Sequence, residues 1–259
     1  MARKFPQAVL PVSGGPRPLE GQVALITGGA RRIGRAIALD LAAAGARIAL
    51  TYRSSRADAE HTAELVAGAG GEVWLRRLDV TREAVIAATL RQLEKKWGRL
   101  DLLVNNAGLY EAGDLATLPR ARWDRMLAAN LTGPFLVSQA ALPLLRHARP
   151  GRIIHLASLG GVHAFSQHPH YSVSKAGLIH LTKVMARALA PAIQVNAVAP
   201  GLISTVSAPR GWEARLVART PARRAGAPGD VAEAVRFFAT CSAFITGQVL
   251  LVDGGLSLV

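Results

Sequence analysis

The chain carries a single cysteine, Cys241, so no disulfide can form within it. It has no run of 18 uninterrupted apolar residues, so no membrane span is expected. Residues 1–19, with Pro6, Pro11, Gly14, Gly15, Pro16 and Pro18, lack an apolar stretch long enough for a secretory leader and are expected to form an irregular arm. Together these absences predict a cytoplasmic protein. There is also no internal repeat and no Pro/Gly-rich internal linker, so residues 20–259 are expected to form one domain.

Acidic residues are scarce as well. Lys and Arg number 31 against 17 Asp and Glu, a formal net charge of +14. The arginines are scattered, through Arg31-Arg32, Arg76-Arg77, Arg120 to Arg125 and Arg223-Arg224, and form no dedicated nucleic-acid module, so nucleic acid is not an expected partner. Solvated faces and attraction for an anionic ligand account for the excess, and an acidic carrier protein stays open as a partner. His163, His168 and His170 cluster without a recognisable metal spacing. They read as loop residues near the mouth of a site, with no metal expected.

What is present begins at Gln22. Val23-Ala24-Leu25-Ile26 has the length of a buried strand, Ile33 to Ala44 has helical apolar periodicity closed by Gly45, and Ile48-Ala49-Leu50 supplies a second strand. Strand, glycine-containing turn, helix and strand make a βαβ unit, whose first turn offers backbone N–H groups and a helix N-terminus to a phosphate. The turn reads Thr27-Gly28-x-x-x-Arg32-Ile33-Gly34 rather than G-x-G-x-x-G. A guanidinium at position 32 can bind a phosphate bidentately, which a glycine cannot.

Further along, Tyr171 and Lys175 are four residues apart, with Ser158 upstream at the end of a run, Arg152 to Ser158, that reads as a strand. On a helix that spacing puts phenol and ammonium on one face. A free phenol is only roughly 0.1% ionised at neutral pH, and a neighbouring cation favours the phenolate, so Lys175 is expected to lower the Tyr171 pKa. Ser158 is placed to hydrogen-bond a carbonyl oxygen.

These motifs, with Leu78-Asp79-Val80, Asn105-Asn106-Ala107-Gly108, Ala129-Asn130-Leu131, Ala199-Pro200-Gly201 and Val252-Asp253-Gly254-Gly255, resemble the short-chain dehydrogenase/reductase family over about residues 20–258. The resemblance implies an α/β fold, a single-domain Rossmann-type doubly wound parallel sheet with helices on both faces. It implies hydride transfer with a nicotinamide dinucleotide, with Ser158, Tyr171, Lys175 and Asn130 as the catalytic set; Asn130 would hold a water in a proton relay. Asp79 would contact the adenine ring, unless it serves as a helix N-cap. Asn105, Ala107 and Gly108 would lie beside the adenine ribose. Pro200, Gly201 and Ile203 would reach the carboxamide, with Thr205 as its cap. Relatives pair through the helix holding Tyr171 and through the last strand, which implies a homotetramer.

No carboxylate follows the second strand until Asp58; the residues there are Thr51-Tyr52-Arg53-Ser54-Ser55-Arg56. Arg53 and Ser54, beside Tyr52 and with Arg32 nearby after folding, suit the 2′-phosphate of NADP(H). For the small-molecule substrate, Arg32, the Tyr52-Arg53-Ser54 segment, Tyr110 and Trp212 resemble the pteridine reductase branch, where an aromatic sandwiches a pterin or dihydrofolate ring. Members of that branch carry Asp at the position of Ser158, whereas serine suits a carbonyl. The alternative is therefore a general carbonyl reductase acting on a 3-oxoacyl thioester or another ketone. A non-catalytic dinucleotide-binding regulator is a third reading, against which stand the intact Tyr171 and Lys175.

Overall fold

The computed structural model describes residues 17–148, 150–204 and 211–259. Seven strands form one parallel sheet: β1 (Val23–Ile26), β2 (Arg47–Tyr52), β3 (Val73–Arg77), β4 (Leu102–Asn105), β5 (Gly151–Leu156), β6 (Ile193–Pro200) and β7 (Val249–Val252). Their spatial order is β3-β2-β1-β4-β5-β6-β7. The chain winds one way from β1 to β3, then crosses back to β4 on the other side of β1. That reversal leaves a crevice at the carboxyl ends of β1 and β4, where open α/β sheets bind ligands.

The helices are α1 (Arg32–Ala43), α2 (Arg56–Gly68), α3 (Glu83–Trp97), α4 (Arg120–Leu127), α5 (Gly133–His147), α6 (Pro169–Leu189), α7 (Trp212–Arg219) and α8 (Pro228–Thr240). Alternation along the strands sorts the core into two layers. From β1, Ala24 and Ile26 join α1 and α8 residues such as Leu41 and Val235. Val23 and Leu25 face the opposite layer with Leu93 of α3 and Val137 of α5. Each fully buried Leu or Ile contributes about 1.5–3 kcal/mol, which makes the crevice walls a rigid support. Among the described residues no helix is long and apolar enough to cross a membrane.

Several boundaries differ from expectation. The arm does not extend to residue 19: Leu19 is buried and its N–H donates to the Ala44 carbonyl at 2.9 Å, so its side chain already belongs to the core. Strand β5 stops at Leu156, two residues before Ser158, because Ser158 caps a short 3₁₀ turn, its Oγ accepting from the Gly160 N–H at 3.1 Å. His170 is not a loop residue; it is the second residue of α6 and fully buried.

Candidate active site

The crevice opens into a cleft of about 880 Å³. Its nucleotide side is built by the turn after β1. Thr27 Oγ1 accepts from the Asn106 and Ala107 N–H groups at 3.1 and 3.0 Å, tying that turn to the one after β4. Gly28 has φ +66°, and a Cβ there would lie 2.9 Å from Ala107 Cα; one on Gly34 would lie 2.5 Å from the Gly28 carbonyl oxygen. Neither position has space for a side chain. The first turn of α1 has neither a side-chain cap nor an acidic residue, so its free N–H groups and positive dipole end are available to an anion. Arg32 and Ile33 line the cleft there.

Arg32 holds φ +50°, a left-handed conformation that costs a non-glycine residue about 1–2 kcal/mol. The turn thus has the backbone shape that glycine adopts readily, and it presents a guanidinium there. Arg53 and Ser54 stand exposed just beyond β2, the neighbour of β1 in the sheet, and Tyr52 ends that strand half-buried. Asp79 is not a helix N-cap: α3 starts at Glu83, and the Asp79 carboxylate accepts from the Thr81 N–H and hydroxyl at 3.0 and 2.7 Å, closing a local turn. Asn105 is buried, its side chain donating to Ser138 Oγ at 2.9 Å. Gly108, Pro200, Gly201 and Ile203 all line the cleft, whereas Thr205 lies outside the described residues.

Ser158, Tyr171 and Lys175 meet on the cleft wall. Burial pushes the Tyr171 phenol up to about 12, and the Ser158 side chain pulls against that shift. The expected lowering by Lys175 is absent. Its ammonium lies 5.9 Å from the Tyr171 ring centroid and donates to the Leu156 carbonyl oxygen at 2.6 Å. Lys175 is only 5% exposed, and burial draws its own pKa down to about 8. The low dielectric therefore disfavours both charged forms, and here it outweighs their mutual attraction. Behind them His155 is fully buried, and burial with the Lys175 charge pushes it down to about 3.

Asn130 sits in a one-turn π-helix, Ala128–Thr132, between α4 and α5. Such bulges recur at functional sites. Its side-chain amide accepts from the Leu109 N–H at 2.7 Å and donates to the Leu109 carbonyl at 2.9 Å and Ser174 Oγ at 3.1 Å. It thus joins the segment after β4 to the helix carrying Tyr171.

On the substrate side, Tyr110 is 57% and Trp212 54% exposed, and both line the cleft. Sequence reasoning missed Leu216 and Arg219, which line it too. The signal was available: Trp212, Leu216 and Arg219 fall at i, i+4 and i+7 on α7, one helical face. Arg219 and Arg32 carry no ion pair among the described residues, leaving two free cations on the cleft.

Chemically, an anion cradle at a sheet reversal beside a Ser–Tyr–Lys cluster suits an oxidoreductase that holds a nicotinamide dinucleotide. Comparison with known proteins agrees. A family model described as enoyl-(acyl carrier protein) reductase matches residues 28–257. A 3-oxoacyl-[acyl-carrier-protein] reductase of Synechocystis is 36% identical over 241 residues, 92% of this chain and 98% of the relative. The corresponding reductase of Escherichia coli is 37% identical over 248 residues, 93% and 99% of the two chains. Among solved structures, a short-chain dehydrogenase/reductase from Serratia marcescens is 39% identical with a TM-score of 0.87, covering 93% of this chain and 99% of that one. The chain belongs to the short-chain dehydrogenase/reductase family.

Proposed function

We propose that the chain reduces the ketone of 3-oxoacyl thioesters with NADPH. The observation that carries this reading is a serine hydroxyl, not a carboxylate, set against the Tyr171 phenol on the cleft wall. Two neutral O–H donors address a carbonyl oxygen, and at a pKa of about 12 the phenol keeps its proton for delivery at neutral pH. The relatives named for 3-oxoacyl carrier-protein substrates support the same choice. The pterin reading gives way because Ser158 stands where that branch carries Asp, and because the relatives are named for reduction of 3-oxoacyl carrier-protein substrates.

The site's own residues divide the work. Ser158 donates to the substrate oxygen and orients it. Tyr171 passes its proton to that oxygen as negative charge develops there. Lys175, protonated, supports the phenolate left behind and would hold the ribose hydroxyls of a bound cofactor. Asn130 fixes the geometry between α6 and the segment after β4, and a water held there returns a proton. NADPH, when bound, supplies the hydride. The free cation Arg219 and the net charge of +14 favour an acidic carrier as the substrate's vehicle. Exposed Phe135, Val173 and Val184 on α5 and α6, and Leu250 on β7, support assembly of a homotetramer through those elements.

The test is NADPH oxidation with a panel holding a 3-oxoacyl thioester, a simple ketone and a dihydropterin. Turnover of the thioester supports the proposal; turnover of the dihydropterin alone overturns it. For the cofactor, NADPH is expected to bind at least about tenfold more tightly than NADH, since one charge-assisted phosphate contact is worth about 1.5–3 kcal/mol. Arg53→Asp should erode that ratio, and equal affinities in the unmodified protein would refute the phosphate clamp.

A further inference from the structure

Tyr110 and His168 come from segments far apart in sequence, one after β4 and the other at the N-cap of α6. They meet in the cleft wall with ring centroids 4.5 Å apart and planes 26° from parallel. The Tyr110 hydroxyl lies 3.0 Å from His168 Nε2, and His168 Nδ1 lies 2.9 Å from the Glu111 carbonyl oxygen. A carbonyl only accepts, so Nδ1 carries a hydrogen, and in the neutral ring Nε2 must accept. Tyr110 then donates its hydroxyl hydrogen to His168 and has none left for a substrate oxygen. Glu111 is anchored in turn: its carboxylate accepts from the Arg125 guanidinium at 2.9 and 2.8 Å. The far edge of the pair closes on the reacting centre, with the Tyr110 ring 4.8 Å from that of Tyr171 and nearly perpendicular, at 84°.

An unsymmetrical ketone whose oxygen meets Ser158 and Tyr171 can be held in two ways, with its two arms exchanged. The two placements give mirror-image alcohols. A rigid aromatic plane on one side of the carbonyl admits only the arm that fits beside it, whereas a mobile plane admits both. We propose that His168 is a positioning residue for Tyr110, and that the locked Tyr110–His168 pair sets the configuration of the alcohol formed at Tyr171. The proposal rests on the ketone-reducing reading given above. It also explains why a second phenol so near Tyr171 does not compete as proton donor.

Chiral chromatography of the 3-hydroxyacyl product tests it. In His168→Ala and Tyr110→Ala the share of the minor enantiomer should rise at least about tenfold, while NADPH affinity and thermal unfolding stay near those of the unmodified protein. Tyr110→Phe keeps the ring and loses only the hydroxyl, so its rise should be smaller. An unchanged enantiomer ratio in both alanine variants would overturn the proposal. The hydrogen bond itself is read without turnover: the ¹⁵N resonance of His168 Nε2 should move in Tyr110→Phe while that of Nδ1 holds. A stationary Nε2 resonance also overturns it. Failure of the unmodified chain to reduce any ketone would instead remove the functional reading, and the ¹⁵N experiment would still decide whether His168 fixes Tyr110.

Discussion

Tyr171→Phe is expected to lower kcat by at least about 10²- to 10⁴-fold, the usual contribution of a positioned general acid, while NADPH binding changes little. The substitution deletes one oxygen and leaves the ring in place. That ring packs edge-on against Tyr110 at 4.8 Å, so the cleft wall keeps its shape. With its pKa raised to about 12 by burial, the phenol is neutral at pH 7 in the folded and the unfolded chain alike, so deleting it removes no buried charge and stability should change little. Single-turnover kinetics with a 3-oxoacyl thioester, beside a fluorescence titration of NADPH, separates the two effects. A variant retaining near-normal kcat would show that another group delivers the proton.

Lys175→Met should abolish turnover and at the same time stabilise the cofactor-free protein at neutral pH. The sign follows from the direction of the shift. Burial lowers the folded-state pKa from 10.5 to about 8, so at pH 7 folding must bury a charge, at a cost on the order of 3 kcal/mol. The cost is full below pH 8 and is relieved as pH rises toward 10.5, where the unfolded chain also loses the proton. Methionine avoids it but leaves the Leu156 carbonyl without its 2.6 Å donor, a loss of about 1 kcal/mol. Calorimetry should therefore find the variant more stable by roughly 2 kcal/mol at pH 7, with the gap narrowing by pH 10. In the unmodified enzyme the same titration predicts kcat/KM falling above about pH 8 as Lys175 discharges. A variant less stable than its parent at pH 7 would mean that the ammonium is not desolvated.

The sheet and the meeting of Ser158, Tyr171 and Lys175 on the cleft were legible because local signals agreed with the fold. Val23–Ile26 and Ile48-Ala49-Leu50 read as buried strands and are buried on both faces. The spacing of Tyr171 and Lys175 placed them on one helical face, and both line the cleft. What was not legible depends on the dielectric and on long-range meetings. Spacing suggested that Lys175 would acidify Tyr171, but the burial that opposes it is contributed by strands and helices from the whole chain. His168 looked like one histidine among three. Its partners Tyr110 and Glu111 lie 58 and 57 positions away, beyond any local pattern. Tyr110 and Trp212 suggested a pterin because residue identity says that an aromatic wall is present, not what kind of substrate it borders.

The helix α7 has no buried residue, although its Trp212, Leu216 and Arg219 face the cleft. Substitutions on a surface without buried packing usually change stability by less than about 0.5 kcal/mol. This wall of the cleft can thus vary almost independently of the part that keeps the chain folded. A lineage built on this chain has room to drift toward new substrates through α7 alone, accumulating changes there that selection for folding would not remove, while the sheet and the Ser–Tyr–Lys chemistry stay as they are.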